Sequence, residues 1–134
     1  MRVVVDTNVI VSGIFWAGVP GRVLDVWAAG AFLLLVTPSI LEEYFEVIDR
    51  IAAKSGRTEL AMRWKTTLFD HAEMVKATYR YDDCRDPDDA MFVECAVSAG
   101  ASYIVSGDDD LLTLENVQDI SIVTPAQFLE YLKV

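Results

Sequence analysis

The chain has 134 residues, 53% of them apolar, which fills the core of one domain and falls short of two of ordinary size. A formal net charge of −10 argues against broad electrostatic attachment to nucleic acid, although a bound cation can supply positive charge locally. Cys84 and Cys95 form no Cys-x-x-Cys pair and His71 is the single histidine, so the composition argues against zinc and reads the thiols as reduced, in a cytosolic protein.

Taken in chain order, Arg2 to Val5 is β-branched and predicts a short buried strand. Asp6 interrupts this apolar start, which a signal-peptide core would not carry. Ser12 to Pro20, with Gly13 and Gly18, predicts a loop. Arg22 to Ala29 predicts a helix stopped by Gly30, and Phe32 to Val36 a second strand. The apolar stretch Trp27 to Val36 is far shorter than the roughly 20 residues that cross a bilayer. No membrane span is expected, and the chain reads as cytoplasmic.

Thr37-Pro38-Ser39 opens a predicted helix from about Ile40 to Ala53, with Leu41, Tyr44, Phe45 and Ile48 at helical spacing. Ser55-Gly56 breaks it. Glu59 to Thr78 predicts one long helix with Leu60, Trp64, Leu68 and Val75 on a stripe. Asp82 to Asp86 predicts a loop. Pro87 suits the first turn of a helix running to Ala99, and Asp88 and Asp89 suit its positive end. Tyr103 to Val105 and Ser121 to Val123 predict the third and fourth strands, and Pro125 opens a last helix. Trp16, Trp27 and Trp64 read as packing residues. There is no repeat, linker or low-complexity tract, so residues 1–134 are expected to form a single domain.

Apolar strands alternating with helices imply a parallel sheet covered on both faces, whose ligands bind beyond the carboxyl ends of the strands. Asp6 follows one such end, and Ser106-Gly107-Asp108-Asp109-Asp110 follows another. Each acid has an ordinary use as a turn residue, a helix cap or a solvated face. Their joint placement suggests a site for a hard divalent cation, Mg²⁺ or Mn²⁺, which prefers oxygen ligands. The reaction class that suits such a site is phosphodiester hydrolysis. Glu42 and Glu43 point about 100° apart on a helix, so one of them faces the site, and spacing favours neither. Asp86 and Asp89, three apart, can both face it. Ser39 and Ser106 are candidate hydrogen-bonding partners.

The arrangement resembles the PIN-domain family, in particular the VapC-like toxins of type II toxin–antitoxin systems. The resemblance is carried by Val-Val-Val-Asp6-Thr7-Asn8-Val, Val-Ser12-Gly, Pro38-Ser39-Ile-Leu-Glu42-Glu43-Tyr, Cys84-Arg85-Asp86-Pro87-Asp88-Asp89 and Gly-Ala-Ser-Tyr-Ile-Val-Ser106-Gly107-Asp108-Asp-Asp110-Leu, in this order over nearly the whole chain. It implies an α/β/α sandwich around a mainly parallel sheet of four to five strands, and an Mg²⁺- or Mn²⁺-dependent ribonuclease. It assigns catalysis and metal binding to Asp6, Glu43, Asp89 and Asp108, and so selects Glu43 over Glu42. Asp86 and Asp110 stand as additional acids, with Asn8, Ser39 and Ser106 as hydrogen-bonding support. One departure is Ala90, where many relatives carry Asp or Asn.

The resemblance also implies an RNA substrate, an antitoxin protein that inserts a helix or basic side chain into the acidic site, and a homodimer. Arg50, Lys54, Arg57, Arg63 and Lys65 fall in one stretch and form a candidate phosphate-contacting patch, against the plain reading of a solvated helical arm. The rival function is a PIN-fold module that binds RNA or protein without cleaving; the Ala90 departure keeps it open and the intact acids argue against it. A phosphotransfer receiver or phosphatase fits less well, because Asp6-Thr7-Asn8 lacks a second aspartate two positions on.

Overall fold

A computed structural model describes residues 1–82, 84 and 86–133. Arg85, and part of the loop expected over Asp82 to Asp86, lie outside the described residues. The elements run β1 (Arg2–Val5), α1 (Thr7–Trp16), α2 (Gly18–Ala28), β2 (Leu33–Val36), α3 (Pro38–Ser55), α4 (Thr58–His71) and β3 (Glu73–Met74). A 3₁₀ turn (Pro87–Asp89) leads into α5 (Ala90–Ala99), then β4 (Tyr103–Val105), α6 (Asp109–Leu112), β5 (Asn116–Val117), β6 (Ile120–Val123) and α7 (Pro125–Leu132).

The strands form one sheet in the order β3-β2-β1-β4-β6-β5. All neighbours are parallel except β5, which pairs antiparallel with β6. Successive residues of a strand point to opposite faces. Val3, Val4 and Val5 are all fully buried, so both faces of β1 are covered, as expected for a parallel sheet between helices. Because β1 and β4 are adjacent and in register from Val3↔Tyr103 to Val5↔Val105, their carboxyl ends lie side by side. The chain order of the strands therefore brings Asp6 and Ser106 together across 100 residues.

Among the described residues there are six strands, and the two that the sequence pattern does not show are two residues long. Helix α4 ends at His71, not at Thr78. The open edge of β2 captures the chain there: Leu35 pairs with Glu73, Val36 with Met74, and the Val75 N–H donates to the Val36 carbonyl at 2.7 Å. Strand β6 returns along β5 through a two-residue turn, Gln118-Asp119, with Gln118 at φ 54 and no glycine to announce it.

The expected loop over Ser12 to Pro20 is helical on both sides of a sharp corner. Burial overrides glycine's low helix propensity, since Val9, Ile10, Val11, Ile14 and Phe15 are all buried. Gly13 is required where α1 meets α2, because a Cβ there would lie 2.7 Å from Leu24 Cδ1 and 2.8 Å from the Pro20 carbonyl. Ala17 (φ 57) and Gly18 (φ 62) then turn the chain through the 98° bend between the two helices. Trp27 packs in the core, Trp64 is half-buried, and Trp16 is 67% exposed. Among the described residues no single helix is long and apolar enough to cross a membrane.

Candidate acidic active site

Asp6 terminates β1 and begins α1. Its N–H donates to the Val105 carbonyl at 2.9 Å, extending the ladder to β4, and its own carbonyl accepts from the N–H groups of Val9 and Ile10. The backbone is therefore fixed on both sides of this side chain, and Asp6 as a whole is only 4% exposed. Ser106, fully buried at the end of β4, donates its hydroxyl to Asp6 Oδ2 at 2.8 Å. The same Ser106 oxygen accepts the Asp108 N–H at 2.9 Å. One hydroxyl thus ties the first acid to the turn that carries Asp108. Asp108 in turn caps α6, accepting the Asp110 N–H at 3.0 Å.

Helix α3 supplies the glutamate. Thr37 caps it, accepting the Ile40 N–H, and Pro38 sits in its first turn. Glu43 accepts a hydrogen bond from the Thr7 hydroxyl, whereas Glu42 is exposed. The next residue, Tyr44, is fully buried and donates its hydroxyl to the Val5 carbonyl, pinning α3 to the end of β1. Of the two adjacent glutamates, Glu43 is thus the one that faces α1, while both line the cleft beside it. Burial and the nearby Asp6 carboxylate push the Tyr44 phenol well above its ordinary range.

Asp89 closes the 3₁₀ turn that precedes α5 and is 7% exposed. Its Oδ2 is buried without a hydrogen-bond partner. Burial first, then the charge of Asp108 and a side-chain hydrogen bond with it, then the charges of Asp6 and Asp86, push its carboxyl up to about 7 from 3.8. Asp6 is also raised, by burial above all, with Asp108 and Glu43 adding repulsion and the Ser106 hydrogen bond opposing it. These mutual charge effects place Asp6, Glu43, Asp89 and Asp108 in one electrostatic cluster. The carboxylate oxygens of Asp86, Asp89 and Asp110 lie within 4.8 Å of one another.

Two clefts open beside the cluster. One of about 370 Å³ is lined by Ser39, Glu42, Glu43, Glu46, Asp88 and Met91. The other, about 660 Å³, is lined by Asn8, Ser12, Pro20, Gly107, Pro125 and the Asp108 to Asp110 run. Ser39 and Asn8 thus stand at the cleft walls, and Ser106 alone of the three expected supporting residues bonds to an acid of the cluster. Thr7 is the supporting residue that the sequence reading misses. Its only signal is its place directly after Asp6.

The basic stretch is largely committed within the fold. Arg57 donates to the Phe15 carbonyl at 2.7 Å and lies over the Phe15 ring, Lys65 pairs with Asp49 at 2.8 Å, and Arg50 faces Glu46 at 3.7 Å. Lys54 and Arg63 enter no ion pair among the described residues.

A carboxylate cluster of this kind is self-repelling unless protonated or loaded with a cation. The sequence profile of the PIN domain family matches residues 2–110. An uncharacterized protein of Methanocaldococcus jannaschii is 28% identical to the chain over 141 aligned residues, spanning 97% of this chain and 90% of that protein. Among solved structures, VapBC2 from Rickettsia felis, captured bound to a DNA fragment from their promoter, superposes with a TM-score of 0.63 at 15% identity. That match covers 91% of this chain and 97% of the other.

Proposed function

The chain belongs to the PIN-domain family, and from that membership and the geometry of its acids we propose that it is an Mg²⁺- or Mn²⁺-dependent ribonuclease, working as one domain and acting as the toxin of a toxin–antitoxin pair. The observation that carries this reading is the buried, unpartnered Asp89 Oδ2 inside a carboxylate cluster at the strand ends. A buried carboxylate without a partner is costly, and a hard divalent cation with oxygen preference is the natural complement. The donor set contains carboxylates and hydroxyls and no histidine or thiolate, which suits Mg²⁺ or Mn²⁺ and disfavours zinc.

Asp6, Glu43, Asp89 and Asp108 would hold the ion. When bound, the ion lowers the pKa of a coordinated water and offsets charge that develops on the phosphodiester. The chain's own contribution is positioning. Ser106 fixes the rotamer of Asp6 and the turn of Asp108 together, and Thr7 aims Glu43. Asp6 and Asp108 follow strand ends, Glu43 comes from α3 and Asp89 from the 3₁₀ turn, and a hydroxyl supports each of Asp6 and Glu43 from behind. With its carboxyl at about 7, Asp89 exchanges a proton near neutrality and so couples ion loading to pH.

The flanking clefts are the candidate RNA path, with Lys54 and Arg63 as the uncommitted members of the basic stretch. The acidic 370 Å³ cleft suits a basic segment of an antitoxin. Homodimerisation and a cytoplasmic location complete the reading. The family resemblance and the likeness to the Rickettsia felis VapBC2 chain support the partner assignment.

The decisive experiment is cleavage of a mixed RNA panel with Mn²⁺, Mg²⁺ or EDTA, comparing wild type with Asp6→Asn. Metal-dependent cutting that is lost in the folded variant is the expected result. Full cutting by Asp6→Asn sinks the site assignment. Ala90, half-buried directly after Asp89 and carrying no donor, favours the second reading of a non-cleaving binding module. RNA binding without cleavage by wild type would establish that alternative.

A further inference from the structure

We propose that RNA runs from the acidic cluster along the segment joining β3 to the 3₁₀ turn, with Lys76 and Arg80 holding its phosphates. This inference rests on the nuclease reading above and deepens it by naming where the strand lies. A chain of net charge −10 must place its few free cations on the path of a polyanion if it is to hold one. The acidic clefts themselves offer none. Glu42, Glu43, Glu46 and Asp88 line the cleft of about 370 Å³, and Asp108, Asp109 and Asp110 line that of about 660 Å³. A bound ion offsets charge at the scissile phosphate, but the neighbouring phosphates still meet carboxylates there.

Past Met91 the cleft lining gains positive charge. A third cleft, of about 450 Å³, shares Ser39 and Met91 with the first and adds Lys76. A fourth, of about 420 Å³, shares Pro87 and Met91 with the first and adds Arg80. Met91, two residues after Asp89, lines all three. Lys76 and Arg80 are exposed and enter no ion pair among the described residues. They share these clefts with two acids, Glu94 and Asp82, and the Glu94 carboxylate is engaged by the Tyr81 N–H at 2.9 Å. Pro38, Met74 and Val75 add an apolar wall beside Lys76, which suits the face of an unpaired base next to a held phosphate. Arg63, by contrast, lines a cleft on α4 that has no residue in common with these.

The backbone that carries the two cations is anchored. The Val75 N–H donates to the Val36 carbonyl at 2.7 Å. Ser98 Oγ accepts both the Thr78 N–H at 2.9 Å and the Tyr79 N–H at 3.1 Å. With the Tyr81 N–H on Glu94, Lys76 lies between the anchors Val75 and Thr78, and Arg80 between Tyr79 and Tyr81. Met91, Glu94 and Ser98 stand at i, i+3 and i+7 on α5. One stripe of that helix therefore supplies both the residue common to the clefts and the acceptors that tie the segment down. Long connections without secondary structure are ordinarily mobile, and side-chain acceptors spent on backbone donors remove that freedom here. Cations fixed in this way set the register of a strand without reading its bases.

The test is the salt dependence of RNA binding by the intact chain. Protein is titrated into a fluorescein-labelled single-stranded RNA of mixed sequence at about 50 to 200 mM KCl, with Ca²⁺ at one fixed concentration, and anisotropy is read. A gel shows that the RNA is whole at the end of each titration, and thermal melting shows that each variant is folded. Every phosphate held on a single strand contributes about 0.7 to the slope of log Kobs against log salt. Lys76→Gln and Arg80→Gln should each flatten the slope by about 0.7, and the double variant by about 1.4. Arg80→Lys keeps the charge and should keep the slope. Lys54→Gln with Arg63→Gln removes as much charge from the α3–α4 arm and should leave the slope unchanged. An unchanged slope in the Lys76→Gln, Arg80→Gln double variant overturns the proposal. So does an equal fall on substituting Lys54 and Arg63, or no RNA binding by wild type. Failure of the nuclease reading looks different: RNA binds with the expected slopes yet stays whole when Mn²⁺ or Mg²⁺ replaces Ca²⁺. Metal-dependent cleavage with a slope blind to Lys76 and Arg80 leaves the nuclease reading standing and removes this path.

Discussion

Asp89→Asn should stabilise the metal-free protein at alkaline pH, although it removes a residue assigned to the active site. The carboxyl of Asp89 is raised from 3.8 to about 7, first by burial and then by Asp108, Asp6 and Asp86. The folded state therefore holds a proton that the unfolded chain has already released. A raised carboxyl pKa contributes its full stability below about pH 4 and loses it as pH climbs through about 7. At about 1.4 kcal/mol per pH unit, the gap between 3.8 and about 7 sets a ceiling of about 4 kcal/mol. Water reaching exposed Asp86 and half-buried Asp108 screens part of that repulsion, and about 2 kcal/mol is the working value. Urea unfolding in EDTA at pH 5 and pH 8, followed by far-ultraviolet circular dichroism, measures it. Wild type should lose about 2 kcal/mol over that interval beyond what the variant loses, a difference of about 6–10 °C in Tm. With millimolar Mn²⁺ the order at pH 8 should reverse, because only wild type gains the full binding free energy. Parallel pH dependences of the two proteins in EDTA, or a variant less stable than wild type at pH 8 without metal, would refute the reasoning.

Ser106→Ala removes a buried hydroxyl bonded to Asp6 Oδ2, and should cost about 1–3 kcal/mol in chemical unfolding at pH 8. Since that hydroxyl opposes the upward shift of Asp6, the acidic limb of the cleavage pH profile should also move to higher pH. Tyr44→Phe deletes the donor to the Val5 carbonyl and should lower stability by about 1 kcal/mol in the same assay. Gly13→Ala drives a methyl into Leu24 and the Pro20 carbonyl, and should cost about 1–3 kcal/mol, read as an earlier urea midpoint at unchanged slope. Thr7→Val keeps the shape of the side chain but frees Glu43, so it should weaken Mn²⁺ binding by about 10-fold as measured by titration.

Much of this protein was legible in the residues themselves. The Val3 to Val5 run announced a strand buried on both faces, and Asp6 directly after it announced a polar end, because period and polarity are local properties of the chain. Pro38, Pro87 and Pro125 marked the openings of three helical segments, and Gly56 and Gly100 marked two helix ends, each in the left-handed conformation. Errors arose where long-range packing outweighed local preference. Gly13 and Gly18 read as a loop, yet the burial of Ile14 and Phe15 makes α1 helical through to Trp16. The stripe from Leu60 to Leu68 continues by spacing to Val75, yet the edge of β2 pulls the chain out of helix at Ala72.

The candidate site divides along the same line. Candidate acids are visible in the sequence, because carboxylates after apolar runs and at a proline-led turn are local features of the chain. Which of Glu42 and Glu43 faces inward could not be read from spacing, since both border the apolar stripe of α3. In the fold Glu43 meets the Thr7 hydroxyl, a contact across 36 positions. Nor could spacing show that one Ser106 hydroxyl serves both Asp6 and Asp108, or that Asp86, Asp89 and Asp110 converge. Sequence fixes period, polarity and chain order. Distances between carboxylates, and the burial that raises their pKa values, depend on which strands lie side by side, and only the pairing of β1 with β4 brings those about.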